Sequence, residues 1–303
     1  MIVTFKDLPP ALSNKAGWPW TEAEEPLSET MLDGSKYPRI SIVTPSYNQG
    51  QFIEETIRSV LLQGYPNLEY TIVDGGSTDN TVEIIKKYEQ FLTYWVSEPD
   101  EGQTDAINKG FELSTGDIMG WLNSDDLLEA SALYHLSKAY KPGMHWWVGK
   151  AFQIFDEDNY RKKEKDTKLI PISRNNLLYA RKILPQVSTY WNRELWNKSG
   201  AYLSHYDLAM DYELWLRFSL VSSAIPINHY LGILRTHEKA KTGTLNGMQA
   251  YVAECDVIRK KEFENNIFNY LFIKCKILFF TRYYLSKQYN WRSWIGKRPI
   301  PYI

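Results

Sequence analysis

Gly116-Asp-Ile-Met-Gly-Trp-Leu-Asn-Ser-Asp-Asp-Leu128 is the stretch on which the reading of this chain turns. Ile118, Met119, Trp121 and Leu122 make an apolar run of strand length that stops abruptly at Asn123, Ser124, Asp125 and Asp126. A run buried on both faces and closed by acids sets carboxylates at the carboxyl edge of a sheet, where open α/β sheets bind ligands. Two adjacent aspartates beside an amide suit a hard divalent cation that keeps waters and shares its other positions with phosphate oxygens. The plainer alternative is that Asp126 caps a helix beginning near Leu127.

Upstream, the chain alternates strand and helix patterns. Ile40, Ile42 and Val43 form a strand that ends in the turn-rich Thr44-Pro-Ser-Tyr-Asn48. Phe52, Ile53, Thr56, Ile57, Val60 and Leu61 recur at helical spacing between about Gln51 and Gln63, where Gly64, Pro66 and Asn67 stop the helix. A second strand runs from Glu69 to Asp74, and Asn80 with Glu83 predicts a capping box for a helix to about Phe91. Leu92–Ser97 reads as a third strand, a third helix opens near Glu101, and the acidic stretch supplies the fourth strand. Three strand–helix units with short connections predict an α/β fold with a doubly wound, mostly parallel sheet and helices on both faces.

Composition narrows the function classes. The 303 residues are 44% hydrophobic and 15% aromatic, ample for a large core. A formal charge of −1 gives no global basic character for nucleic acid. The two cysteines, Cys255 and Cys275, lack metal-ligand spacing and suggest a reducing compartment. No signal peptide is legible in Met1–Pro10, and no apolar run reaches the length of a membrane-spanning helix. From Ile258 onward, ten Lys or Arg face two Glu, a net of +8 against −9 for the remainder. The dinucleotide fingerprint after the first strand is absent, and so is the Walker A pattern. Asp74 ends a buried strand ahead of Gly75 and Gly76, which let a flat ligand approach the backbone.

Taken together, Thr44-Pro-Ser-Tyr-Asn48, Val73-Asp-Gly-Gly-Ser-Thr-Asp79, Asp105-Ala-Ile-Asn-Lys-Gly110 and Asn123-Ser-Asp-Asp126 resemble the family 2 glycosyltransferases of GT-A fold, over about residues 39–242. The resemblance implies an inverting enzyme that binds a nucleotide-diphosphate sugar, a UDP-sugar being favoured, through a divalent cation such as Mn2+ or Mg2+. Carried over residue by residue, it sets Thr44, Pro45 and Tyr47 in the nucleotide pocket and Asp74 against the base. It places Gln103, Asp105 and Lys109 near ribose or diphosphate, with an ordinary helix ion pair as the alternative for Asp105 and Lys109. The family's Asp-x-Asp metal motif has Asn123 at its first position here, with Ser124 beside it. That leaves Asp125 as the expected metal ligand and Asp126 as secondary.

Past Tyr140 the alternation fades. Trp146–Phe155 is strand-like, Asp156–Lys168 is a charged exposed loop, and Gln186–Trp191 is a further strand before a short helix, Arg193–Ser199. Met210-Asp-Tyr-Glu-Leu-Trp-Leu-Arg217 lies on a helix and resembles the family's Glu-Asp-x-x-Leu-x-x-Arg pattern, with Met210 in place of Glu. The resemblance makes Asp211 the general base, with Glu213 as substitute. A first-turn acid stabilised by the helix dipole is the structural alternative. Ala224–Arg235 is the last strand. His237 after it matches a histidine that members of the family direct at the metal or diphosphate.

Residues 1–38 read as an irregular strap, 39–245 as the catalytic unit (donor half 39–126, acceptor half 127–245), and 246–303 as a basic helical tail. In that tail, Asn265–Lys287 reads as an amphipathic helix. It either packs on the catalytic unit or, with Trp291 and Trp294, lies on an anionic membrane surface. The resemblance implies a glycan or lipid-linked acceptor in cell-surface polysaccharide synthesis, on the cytoplasmic side and peripheral to the membrane. Two rival functions are weighed, a nucleotidyltransferase and a non-catalytic nucleotide-sugar-binding module. The first calls for a glycine-rich basic loop after the first strand, and Thr44–Asn48 is neither.

Overall fold

A computed structural model describes residues 2–11, 15–155, 160–163, 172–179, 183–204 and 206–263. The core begins with β1 (Ile40–Ser46), every residue of which is buried. It lies parallel between β2 (Leu68–Asp74) and β4 (Ile118–Trp121), and β3 (Tyr94–Ser97) adds to the outer edge of β2. Side chains of β1 alternate between two cores, as strand geometry requires. Ile40 and Ile42 face α1 (Ile53–Leu61) and α2 (Thr81–Tyr88), whereas Val43 faces α3 (Gln103–Leu113). Gly110 lets α3 lie flat on this strand, since a Cβ there would sit 2.4 Å from Val43 Cγ1.

The sheet reverses its winding between β1 and β4, because β2 and β3 build outward on one side and the chain returns on the other. Such a switch point opens a crevice at the carboxyl ends of the two strands. Beyond β4 the sheet is mixed. In order come β8 (Thr189–Asn192), β6 (Trp146–Phe155), β9 (Ile225–Thr236) and the two-residue β5 (Leu127–Leu128). One face carries α4 (Ala132–Ala139) with α1 and α2. The other carries α3, α5 (Arg174–Leu178), α6 (Arg193–Lys198), α7 (Met210–Val221) and α8 (Leu245–Phe263). Trp215 of α7 stacks between Trp121 and Trp146 at 5.9 and 5.6 Å, which fastens that helix to the sheet.

Several local expectations are corrected. The helix proposed near Leu127 is absent, because Leu127 and Leu128 pair with Ile233 and Gly232 of β9, and α4 starts only at Ala132. The Asn80–Glu83 capping box does not form. Asp79 takes its place, its Oδ1 accepting the Thr81 N–H at 2.9 Å and its Oδ2 the Gly50 N–H at 2.9 Å. The strand expected from Gln186 opens as a 3-10 turn, Gln186–Ser188, with the Thr189 hydroxyl bonded back to the Pro185 carbonyl at 2.8 Å. Within the expected charged loop, Tyr160–Lys163 form β7, an antiparallel partner of β6. The helix predicted over 265–287 lies outside the described residues, and so do Trp291 and Trp294. Among the described residues, no helix is long and apolar enough to cross a membrane.

A buried cation holds the described amino-terminal residues against the core. Arg58 of α1 is fully buried and donates to the carbonyls of Pro9 (2.9 Å), Pro19 (3.1 Å) and Trp20 (3.4 Å) and to the Tyr88 hydroxyl at 3.2 Å. Trp18 adds a bond from its indole N–H to the Leu128 carbonyl at 2.9 Å. Replacing Arg58 strands several carbonyls in a dry interior. Arg58→Met is expected to cost about 2–4 kcal/mol and to lower the thermal midpoint by about 5–10 °C, as read by calorimetry.

Candidate active site

The crevice is built from the loops that leave β1, β2, β3 and β4. Asn48 adopts a left-handed conformation (φ 52°), which Asn tolerates, and its side-chain oxygen accepts the Thr78 N–H at 2.9 Å. Its own N–H donates to Ser77 Oγ at 2.7 Å, so the first two loops are stitched together. Tyr47 projects outward, 59% exposed. Thr44 and Pro45 beneath it are buried, and the Thr44 hydroxyl pairs with the Tyr70 hydroxyl at 3.1 Å. Thr44 and Pro45 therefore shape the floor of the crevice, while Tyr47 presents a side chain.

Asp74 is fully buried and heavily committed. It accepts the Ser77 N–H at 2.9 Å, the Ser77 hydroxyl at 2.5 Å and the Ser97 hydroxyl at 2.7 Å, tying its loop to β3. Beside it stands an acid that the motif reading passed over. Asp100, after β3, packs so closely on Gly75 that a Cβ there would lie 2.7 Å from its carboxylate. Burial pushes the Asp100 carboxyl up, the Gly102 N–H opposes this, and the charges of Asp105 and Asp74 add to the rise. The available signal was positional, since Glu98-Pro-Asp-Glu-Gly102 leaves β3 at the same edge as the other acids.

At the mouth of α3, the Gln103 amide donates to Asn123 Oδ1 at 2.8 Å, which links the third loop to the acidic turn. Asp105 accepts the Glu101 N–H at 3.3 Å and caps its own helix. The alternative Asp105–Lys109 helix pair is not formed, since Lys109 pairs with Glu98.

The acidic turn itself is braced from below. Thr56 donates its hydroxyl to the carbonyls of both Ser124 (2.9 Å) and Asp126 (2.8 Å). Asp126 is buried and points inward, where Oδ1 accepts the Arg235 N–H at 2.9 Å and Oδ2 faces the Asn123 amide at 3.4 Å. Burial, and then the neighbouring Asp125, push its carboxyl well above the ordinary range, with the Arg235 N–H pulling back. Asp125 instead meets His237 Nε2 through Oδ2 at 3.0 Å. Arg235 bonds the Asp125 carbonyl at 3.0 Å, pairs with Glu55 at 3.3 Å and lies over Phe52, whose ring also contacts His237.

Asp125 and His237 fit a divalent cation. The two groups lie 3.0 Å apart at the end of the acidic turn and would hold such an ion together. Carboxylate oxygen with imidazole nitrogen is a donor set suited to Mn2+. Among the described residues, no three His, Cys, Asp or Glu side chains converge as a cage.

Asp211 occupies the first turn of α7, half-buried, with Oδ1 accepting the Tyr212 N–H at 2.6 Å and facing the Tyr251 hydroxyl at 3.5 Å. Burial pushes its carboxyl up to about 7. Glu213, the substitute base, is spoken for, since it forms a bidentate pair with Arg217 and accepts the Ser204 hydroxyl at 2.8 Å. Two bridges join the entry to α7 to the rest of the crevice. Thr104 of α3 reaches the Tyr206 carbonyl at 3.4 Å, and Lys241, beyond His237, reaches the Asp207 carbonyl at 3.3 Å.

Comparison with known proteins follows this geometry. The Glycosyl transferase family 2 model matches residues 41–198. Two Mycobacterium tuberculosis proteins, each described as an uncharacterized glycosyltransferase, are 30% identical over 196 residues, covering 63% of this chain and 72% of theirs. The Bacillus subtilis putative teichuronic acid biosynthesis glycosyltransferase TuaG is 40% identical over 92 residues, 29% of this chain and 36% of its own. Staphylococcus aureus TarS 1–349 in complex with UDP-GlcNAc matches with a TM-score of 0.54 at 17% identity, covering 71% of this chain and 66% of that one. In a longer TarS chain the match spans 39% of the length. The mannosyltransferase PcManGT from Pyrobaculum calidifontis, in complex with GDP-Man and Mn2+, matches at 0.54 and 20% identity, covering 78% and 66%. These structures establish the GT-A type of fold.

The perturbed acid has a thermodynamic signature. Because the folded-state pKa of Asp211 is raised, its contribution is intact below about pH 4 and is lost as pH rises through about 7. Asp211→Asn is therefore expected to leave the urea midpoint nearly unchanged at pH 4 and to raise stability by about 2 kcal/mol at pH 8. Equal effects at the two pH values would refute the assignment of a raised carboxyl.

Proposed function

The chain belongs to glycosyl transferase family 2, and from that premise we propose that it transfers a sugar from a nucleotide diphosphate, UDP being favoured, to a hydroxyl of a glycan or lipid-linked acceptor with inversion. The observation that carries this reading is the pairing of Asp125 with His237 at the switch point, together with a raised carboxyl on the neighbouring α7. The relatives lend support: the TarS chain is held with UDP-GlcNAc, PcManGT with GDP-Man and Mn2+, and TuaG is named for teichuronic acid biosynthesis. Synthesis of a cell-surface polysaccharide, at the cytoplasmic face of the membrane, is the corresponding setting.

In this reading, Tyr47 and the backbone of the first loop border the nucleotide, Asp74 holds the second loop in shape against β3, and Asp100 faces the base and ribose from the third loop. Gln103 and Asn123 hold the donor side of the crevice in register. Asp125 and His237 would hold a divalent cation, which neutralises charge growing on the departing diphosphate. Asp126 and Arg235 keep those two groups aimed. Asp211 accepts the acceptor's proton on its outer carboxylate oxygen as the acceptor oxygen bonds to the anomeric carbon. The bond from that carbon to the phosphate oxygen breaks on the opposite face, and its electron pair leaves with the diphosphate. A carboxyl poised near 7 is well matched to that task at neutral pH. The donor half is proposed to span 39–126 and the acceptor half to begin at 127. We assign α8 to the catalytic unit rather than the tail, since Tyr251, Cys255 and Ile258 are part of its core.

Calorimetric titration with UDP and with GDP, each with Mn2+, tests the donor side. Binding should require the cation and weaken at least about tenfold in Asp125→Ala, a loss of about 1.4 kcal/mol. Asp211→Asn should retain that binding while turnover of UDP-GlcNAc falls by at least about a hundredfold. Nucleotide binding that is absent, or indifferent to both cation and Asp125, would favour a non-catalytic module instead.

A further inference from the structure

Helix α8 meets the entry of α7 in an unusual way. Glu254 accepts three successive backbone N–H groups, those of Asp207 at 3.2 Å, Leu208 at 2.8 Å and Ala209 at 2.6 Å. These are the donors that lead into the first turn of α7, where a helix N-terminus ordinarily stabilises a nearby anion. Asp211 sits two residues inside that turn and would be the natural anion for it. Glu254 instead fills the position from another element. One turn earlier on α8, the Tyr251 hydroxyl faces Asp211 Oδ1 at 3.5 Å.

We propose that Tyr251 and Glu254 are positioning residues for the base: Glu254 takes the N–H groups at the α7 entry and sets a second carboxylate near Asp211, and Tyr251 pins the inner carboxylate oxygen so that the outer one meets the acceptor. This rests on Asp211 being the base. With Oδ1 engaged by Tyr251 and by the Tyr212 N–H, Oδ2 has no hydrogen-bond partner among the described residues. The two α8 residues act in opposite senses. A donor hydroxyl favours the ionised carboxylate, whereas a second carboxylate nearby disfavours it.

The other ionisable neighbours are accounted for. Cys255, also on α8, is buried with its thiol pushed up to about 12, so it is neutral beside Asp211. Arg259 is bound to Asp256 at 2.7 Å and lies over the Tyr212 ring. On α7, Glu213 is neutralised by Arg217. Arg174 of α5 sits toward the far end, on the Leu216 carbonyl. Lys241 reaches only the Asp207 carbonyl. Asp207 lies exposed in the α7 entry, and Glu254 is held at this end of α7 by backbone N–H groups and by no cation among the described residues.

The test reads Asp211 directly. Protein labelled with 13C-carboxyl aspartate is titrated by NMR, the Asp211 resonance being identified by its loss in Asp211→Asn. Glu254→Gln keeps a carbonyl oxygen for the Leu208 and Ala209 N–H groups and removes the charge. It should move the midpoint to lower pH by about half a pH step or more. Tyr251→Phe should move it to higher pH, and carries the test alone if the Gln variant fails to fold. Opposite displacements support the proposal. Midpoints left where the wild-type protein has them, or displaced in one common direction, overturn it. If Asp211→Asn keeps full turnover of UDP-GlcNAc, the base assignment itself falls, whatever the titration shows. If that variant is inactive and the midpoints do not move, only the role of α8 falls.

Discussion

Burial of Asp126 beside a second carboxylate, Asp125, is the constraint around which the rest is arranged. Adjacent carboxylates at the end of a buried strand cannot both remain ionised without compensation. The fold supplies it by bringing back a segment more than a hundred residues later. The short pairing of Leu127–Leu128 with Ile233 and Gly232 aligns β9 so that Arg235 delivers its N–H to Asp126 and His237 reaches Asp125. Without β5 there would be no register to fix those contacts, which explains why two residues of strand interrupt what would otherwise be a turn into α4. Compensation is also incomplete by design. Asp126 has one strong backbone donor, one long amide contact and the charge of Arg235, and Asp125 has the His237 imidazole.

The opposite edge of the same sheet shows that this shortage is local. Glu69, near the amino end of β2, is also substantially buried. Desolvation raises its carboxyl, but Ser41, the Thr115 N–H and hydroxyl, and the Arg39 charge together bring it below the ordinary range. The Gly116 N–H adds a bond at 3.2 Å. One acid thus staples three strands at the amino edge at no electrostatic disadvantage. Asp126 and Asp211, at or near the carboxyl edge, go the other way. Same side-chain chemistry, same sheet, and opposite shifts: the number of donors aimed at each carboxylate decides the direction. The conspicuous acids of the motifs divide along this line. Asp74 and Glu213 are tied into structure, whereas Asp125 and Asp211 retain an oxygen facing outward.

What was legible in the sequence follows from how local each determinant is. β1, β2 and β4 declare themselves as short apolar runs with turn residues behind them, and β6 is visible over its full length from Trp146 to Phe155. Their parallel pairing follows from the crossovers. The errors fall where a neighbour overrides local pattern. Leu127 and Leu128 look like a helix start until β9 is beside them. Asn80 looks like a cap until Asp79 proves better placed for Thr81 and Gly50. Helix α8 is hidden because its buried positions, Tyr251, Cys255 and Ile258, are diluted by charges that face water. In the crevice, Asp125 and His237 were paired by family resemblance, not by any local signal across 112 positions. Glu254 and Tyr251 had no signal at all, because what matters about them is which distant backbone they touch.

The two halves of the chemistry are held from outside the motif set. On the donor side, Glu55 of α1 pairs with Arg235, and the strap reaches the same carboxylate through Lys15 at 3.7 Å. The strap itself hangs on Arg58, two residues along α1 from Thr56, which braces the acidic turn. A part with no motif in it therefore bears on the orientation of Asp125. On the acceptor side, α8 does the equivalent for Asp211. Such an arrangement separates two tasks that a single loop could not perform at once. The motif residues sit on the loops at the carboxyl edge, while the strap and α8, remote in sequence and anchored in separate cores, pack behind them. Rigidity is thereby supplied by packing on the two faces of the sheet, in addition to the bonds that tie the loops to one another.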